Sequence, residues 1–281
     1  MNIQYKNNSV IWLVFILVAF LFSVTLHGSL DASKTIAILS MCFVCELIDS
    51  GLGMGYGTIL TPTLLLIGYE PHDIVPTILL SELLSGFTAA YFHNEIKNVD
   101  LSLRGKDILP AATLAAGSLA GVSIGVFVAV SISKDALAML IGCIILLSGF
   151  LVVLLSRKAI EYRKWKMLLL STIASFNKAV SGGGYGPLVT SGQILSGVQG
   201  KASVGISSFA EAFTCLFGVT LFLIKGESLN LDLLIPMCGG ALFSVPFSVF
   251  AIHKTKEAHL KIIIGIMTMV MGFFTIYKVI T

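Results

Sequence analysis

Ser50-Gly51-Leu52-Gly53-Met54-Gly55-Tyr56-Gly57 and Ser181-Gly182-Gly183-Gly184-Tyr185-Gly186-Pro187 decide the fold of this 281-residue chain. Each run interrupts an apolar stretch, 35–68 and 167–197, that is too long for one membrane span. Glycine at this density unwinds a helix, because it has the most backbone freedom to lose. Around the two breaks lie apolar segments near 10–28, 72–93, 109–131, 136–155, 202–224, 233–252 and 260–280. Their lengths match the roughly 20 residues that cross a bilayer as a helix. The bulk numbers agree: 56% of residues are hydrophobic and 12% charged, with a mean hydropathy of +0.95. Soluble domains carry about twice that charge fraction. No barrel-like alternation appears, so helices are the spanning elements.

The breaks also carry a repeat. Laying Gly55-Tyr56-Gly57 over Gly184-Tyr185-Gly186, a shift of 129, pairs Gly53 with Gly182, Thr61 with Thr190, Gly68 with Gly197 and Glu82 with Glu211. Small deletions then bring Leu109-Pro110 onto Ile235-Pro236, Ile141-Gly142 onto Ile264-Gly265 and Gly149-Phe150 onto Gly272-Phe273. Both halves therefore run in the same order: glycine break, helix with a central glutamate, proline-started helix, final helix.

Loop charge gives the expected orientation. If each broken stretch is a hairpin, one side holds Lys6, Lys97, Arg104, Lys106, Arg157, Lys158, Arg163, Lys164, Lys166, Lys201, Lys254, Lys256 and Lys261. The other side holds only Lys34, Lys134, Lys225 and Lys278. The basic side is expected to be cytoplasmic, with the N-terminus inside and the C-terminus outside. The first hairpin then enters from outside and the second from the cytoplasm, which makes the halves an inverted-topology repeat of the kind found in secondary transporters. The expected architecture is an all-α polytopic membrane protein. It comprises an extra N-terminal transmembrane helix (1–33), repeat 1 (34–156), a basic cytoplasmic loop (157–166) and repeat 2 (167–281). Lys6 before the first apolar run suggests a signal peptide, but Leu26-His27-Gly28 is a poor cleavage site and the run reads as a retained helix. A net charge of +3, dispersed along the chain, gives no nucleic-acid surface.

Unwound backbone inside a membrane is tolerated where it is buried in protein or lines a polar cavity. Two breaks entering from opposite faces are expected to meet near the midplane, offering helix N-termini and their N–H groups to an anion. Gly53, Gly55 and Gly57 would line that site from one half, and Gly182, Gly183, Gly184 and Gly186 from the other. Tyr56, Thr58, Ser181, Tyr185 and Thr190 are expected to add neutral hydrogen-bond partners. The competing reading is that the glycines only let helices pack closely; that needs one glycine every fourth position, not three in succession.

Five ionisable residues fall inside apolar segments: Glu46, Asp49, Glu82, Lys178 and Glu211. Each costs on the order of 3 kcal/mol at a helix centre and is expected to face the protein interior. Glu82 and Glu211, equivalent in the two halves, read either as proton-coupling sites or as braces for the glycine loops. Lys178 either pairs with its counterpart Asp49 or lends its charge to the substrate site, with Asn177 as a second ligand. Cys42 and Cys45 have redox spacing, yet they sit in an apolar helix without a matching His or Cys, as buried small hydrophobes do. No disulfide framework is expected from the five cysteines. His72, His93, His253 and His259, like Trp12 and Trp165, fall near segment ends and read as interfacial. No nucleophile–base pair, metal motif or phosphate loop is present, and Gly53-x-Gly55-x-Gly57 lacks the context of a dinucleotide site.

The acidic helix ending in Gly51–Gly57, followed by Pro62 and Gly68 and repeated in Ser181–Pro187, resembles the TauE/SafE (TSUP) sulfite exporter family from about residue 34 onward. The resemblance implies a secondary transporter of small sulfur-containing or carboxylated organic anions, such as sulfite, sulfonates or sulfoacetate, in the bacterial inner membrane. The expectation is therefore a proton-coupled carrier working by alternating access. Its partners would be the anion, protons and membrane lipid, without cofactor or metal; whether it is a homo-oligomer stays open. Met54 stands where the second run has Gly183, so the first half of the site is expected to be narrower. The alternatives are a passive anion channel and a membrane thiol-redox protein using Cys42 and Cys45.

Overall fold

The computed structural model describes residues 32–155, 164–251 and 257–281. The expected helix over 10–28, most of the basic loop 157–166, Trp12 and His253 lie outside the described residues. Within them every regular element is a helix: α1 (Ala32–Leu52), α2 (Tyr56–Leu66), α3 (Pro71–Glu95), α4 (Ile108–Ser131), α5 (Lys134–Leu155), α6 (Lys164–Ser181), α7 (Tyr185–Leu195), α8 (Gly200–Ile224), α9 (Leu231–Ala251) and α10 (Glu257–Ile280). Six of these, α1, α3, α4, α5, α8 and α9, are long and apolar enough to cross a membrane. The chain is a polytopic helical membrane protein. Both glycine runs end a long helix and start an 11-residue one, α2 and α7. A 25-residue helix carrying a central glutamate follows each, α3 and α8.

Each broken stretch folds back on itself. Lys34, Ala37, Ile38 and Met41, early in α1, share a cavity of about 480 Å³ with Ile67, Gly68 and Tyr69, just past the end of α2. Gly192, late in α7, lies against Leu170, early in α6. The first hairpin opens at the end of the bundle where Lys134 Nζ reaches Glu70 Oε1 at 2.9 Å. There too Lys278 Nζ donates to the Leu65 carbonyl at 2.7 Å, and His72 lies 3.5 Å from Glu227. Lys225 stands over the ring of Phe127, late in α4, at 5.8 Å. The four lysines that the sequence puts on its less basic side thus gather at one end.

The opposite end is closed by the loop 96–107. Ser102 Oγ donates to Asp100 Oδ1 at 2.7 Å, and this bond, then the Ser102 backbone N–H, holds the Asp100 carboxyl below the usual range. The Asp100 N–H in turn donates to Asp107 Oδ2 at 2.9 Å. Here His93 departs from the interfacial expectation: it is buried. Its Nε2–H donates to the Ser50 carbonyl at 2.8 Å, and Nδ1 accepts from the Asn98 amide at 2.9 Å. The ring ties the last turn of α1 to α3, a tertiary contact that segment position does not reveal. Trp165 stays exposed.

The core is built between the halves. α4 packs on α6 and α8, α9 packs on α1 and α3, α3 packs on α8, and α5 packs on α10. Small residues set the distances, as expected where lipid is as apolar as the side chains. Gly117, Gly121 and Gly125 of α4 lie against the carbonyls of Leu168, Thr172 and Phe176 in α6. Gly149 of α5 faces the Gly265 carbonyl of α10, and Gly142 faces that of Gly272. Hydroxyls stitch the same seams: Thr172 Oγ1 donates to the Gly117 carbonyl at 2.9 Å, and Ser244 Oγ to the Phe43 carbonyl at 2.7 Å.

Candidate functional site

The two glycine breaks cross in direct backbone contact. A Cβ on Gly57 would fall on the Gly182 carbonyl, and one on Gly186 would fall on the Gly53 carbonyl. The 129-residue shift exchanges these two contacts, so each break presses its helix start onto the other's carbonyl. The turns themselves need left-handed backbone, with φ of +71° at Gly53 and +68° at Gly182. Close approach and chain reversal together account for the glycine density, and close packing is part of what the runs do.

Lys178, on the last turn of α6, is the charged centre of the crossing. It is 1% exposed, and its ammonium donates to Glu82 of α3 and lies 2.8 Å from Glu211 of α8. The two equivalent glutamates thus converge from both halves on one lysine. Asp49, the counterpart of Lys178, instead accepts the Tyr56 N–H on Oδ1 at 3.2 Å. It therefore occupies part of the α2 N-terminus that an external anion would use. Glu46, also buried, accepts from Ser50 Oγ and from Ser85 Oγ at 3.1 Å. Glu82, Glu211 and Asp49 thus surround one buried lysine, with Glu46 beyond them beside Asp49 and Glu82.

The other expected site residues are close by, and most hydroxyls are engaged within the protein. Tyr56 OH shares a 2.7 Å bond with Ser81. Thr58 Oγ1 donates to the Gly55 carbonyl at 3.2 Å. Tyr185 OH is 3.4 Å from Ser118 Oγ. Ser181 Oγ donates to the Asn177 carbonyl at 2.7 Å and accepts the Gly183 N–H at 3.2 Å. Asn177 lies beside Gly184, whose φ is +81°. Thr190 Oγ1 donates to the Gly53 carbonyl at 2.9 Å. Gln193 and Ser207, which the sequence does not single out, complete the Thr190 network. Their signal was faint: an i, i+4 polar face, Ser203–Ser207–Glu211, where the first half reads Ile74–Ile78–Glu82. Cys42 and Cys45 are both buried free thiols. Among the described residues no group of three His, Cys, Asp or Glu side chains is placed to hold a metal.

The family profile described as "Sulfite exporter TauE/SafE" matches residues 37–275, nearly all of the chain. A relative from Bacillus subtilis (strain 168), named "Probable membrane transporter protein YtnM", is 25% identical over 245 residues. That alignment covers 83% of this chain and 79% of the relative. No solved structure matches the chain.

Proposed function

The chain belongs to the sulfite exporter TauE/SafE family, and from that premise we propose that it is a proton-coupled secondary transporter of small sulfur-containing or carboxylated organic anions. It is a membrane transporter and not an enzyme. One observation carries the finer reading: Lys178 is held between Glu82 and Glu211 where two helix breaks cross. The two five-helix runs act as inverted repeats that rock about this crossing, opening it alternately to either side. As the breaks part, the Lys178 ammonium and the first-turn N–H groups of α7 receive the anion, with Asn177 beside them. Glu82 and Glu211, released from the lysine, take up protons. Proton uptake suits a region where acids outnumber one lysine, because an incoming anion would otherwise deepen the negative excess. The positive-inside bias supports an inner-membrane orientation with a cytoplasmic N-terminus and an external C-terminus.

The test is flux of labelled sulfite or sulfoacetate into proteoliposomes holding the full chain, with and without a pH gradient. Saturable, gradient-driven uptake with counterflow is expected. Large electrical conductance without counterflow would instead identify a passive channel, and no flux of any small anion would refute the reading. Glu82→Gln and Glu211→Gln are each expected to lose gradient-driven accumulation while keeping anion exchange. Should both retain full gradient coupling, the glutamates are braces for the crossing. Replacing Cys42 and Cys45 together by Ala is expected to leave flux within about threefold of wild type. The loss of stability should be about 1 kcal/mol per site from small cavities. Loss of flux in a well-folded double variant would support thiol chemistry.

A further inference from the structure

Among the described residues, two buried side-chain polar atoms have no hydrogen-bond partner: Thr61 Oγ1 and Gln193 Oε1. The Gln193 amide is otherwise engaged, since its Nε2 donates to Ser207 Oγ at 2.8 Å. Thr61 is different, because its hydroxyl is its whole polar content and the residue is fully buried.

Its repeat mate explains why it stands alone. Thr190 reaches across the crossing to Gly53, and Thr61 occupies the matching place at Gly182, where a Cβ would lie 2.9 Å from Thr61 Oγ1. Thr190 is fixed by a relay: Gln193 bonds Ser207, Ser207 shares a 2.8 Å bond with Thr190, and Thr190 donates to the Gly53 carbonyl at 2.9 Å. The positions equivalent to Gln193 and Ser207 are Leu64 and Ile78. Ile78 methyls take the place of the serine hydroxyl, 3.3 Å from where a Cβ on Gly182 would lie. The first half therefore keeps the threonine but lacks the polar side chains that orient its mate toward a carbonyl. A buried unpaired hydroxyl costs about 1–3 kcal/mol, and valine would fill the same volume without that cost.

Gly182 is also one helical turn from the charged centre, since its N–H donates to the Lys178 carbonyl at 2.8 Å. The unpaired donor thus lies against the second break, at the glycine whose N–H bonds the Lys178 carbonyl. We propose that Thr61 is a substrate ligand whose hydroxyl donates to an oxygen of the transported oxyanion when the breaks part. This assignment rests on the anion-transport reading above. Thr190, with its hydrogen committed to Gly53, is a positioning residue that holds the first break.

Kinetics and thermal stability together test the assignment, using the full chain and sulfite or sulfoacetate as probe. Thr61→Val is expected to unfold at or above the wild-type temperature, because no internal bond is lost. It should raise KM about tenfold, with maximal rate within about threefold. Thr61→Ser should recover most of the wild-type KM, and Thr61→Ala provides a second donor-free side chain if valine does not fit. Thr190→Val should instead lower the unfolding temperature, because it removes the bond to the Gly53 carbonyl. Wild-type KM in folded Thr61→Val and Thr61→Ala would overturn the assignment while leaving anion transport standing. An unfolding temperature lowered as far as in Thr190→Val would also overturn it, by revealing a structural partner. No anion flux in the wild type would overturn both readings.

Discussion

Replacing Lys178 by methionine is expected to abolish transport and to reduce the yield of folded protein. The ammonium is buried and bonded to Glu82 and Glu211, with Asp49 and Glu46 nearby. Removing it leaves carboxylates that have lost their counter-charge and cannot reach water. Breaking a buried ion pair from one side costs about 3–5 kcal/mol, far more than the pair itself contributes. The same asymmetry supplies the control. Adding Glu82→Gln and Glu211→Gln to Lys178→Met removes the stranded charges and is expected to restore much of the folded yield and unfolding temperature. Transport should stay absent, because neither the cation nor the proton-accepting groups remain. Size-exclusion profile, unfolding temperature and proteoliposome flux check the series. Equal instability of the single and triple variants would mean that the lysine acts through packing of its stem. A transport-competent Lys178→Met would remove the residue from the mechanism.

Alanine at Gly57 or Gly186 is expected to be nearly as damaging, for a steric reason. In each case the added methyl would meet the carbonyl of the opposite break, Gly182 or Gly53. Both neighbours are backbone, so no rotamer change relieves the overlap and the crossing must spread. Overpacking of this kind costs about 3 kcal/mol or more. Because the two contacts are equivalent, the two variants should lose stability by similar amounts. Gly197→Ala is the contrasting case. Gly197 also has positive φ, +91°, but an added Cβ meets nothing within 4 Å. Its expected cost is only the backbone penalty, about 1–2 kcal/mol. Thermal unfolding of the three variants separates collision from backbone strain. A Gly57→Ala protein as stable as Gly197→Ala would show that the crossing is loose.

Among the described residues the long apolar helices, their order and the two breaks were legible because each is a local property. Hydropathy is read segment by segment, and glycine density acts on its own few residues. The repeat reading rests on the same kind of local signal, since Glu82 and Glu211, or Gly149 and Gly272, hold equal places in like segments. Partner choice was not legible. Register offered Asp49 or a substrate anion as the partner of Lys178, and neither reading named the two glutamates on other helices to which its four-carbon stem carries the ammonium. His93 looked interfacial by position and is buried against Ser50.

Thr61 and Thr190 mark the boundary most clearly. In sequence they are equivalent, one residue type at one register in each half. Only the crossing decides that Thr190 meets a carbonyl backed by Ser207 and Gln193, while Thr61 meets Ile78 and keeps its donor unspent. By itself, then, the sequence determined a polytopic helical protein with two glycine breaks and a matched pair of membrane acids. The tertiary structure decided which polar groups are consumed in holding the breaks together and which, such as Thr61 Oγ1, are left unpaired. The reason is range: burial and backbone freedom are set within a helical turn, whereas a hydrogen bond depends on where two distant helices cross to within about half an ångström.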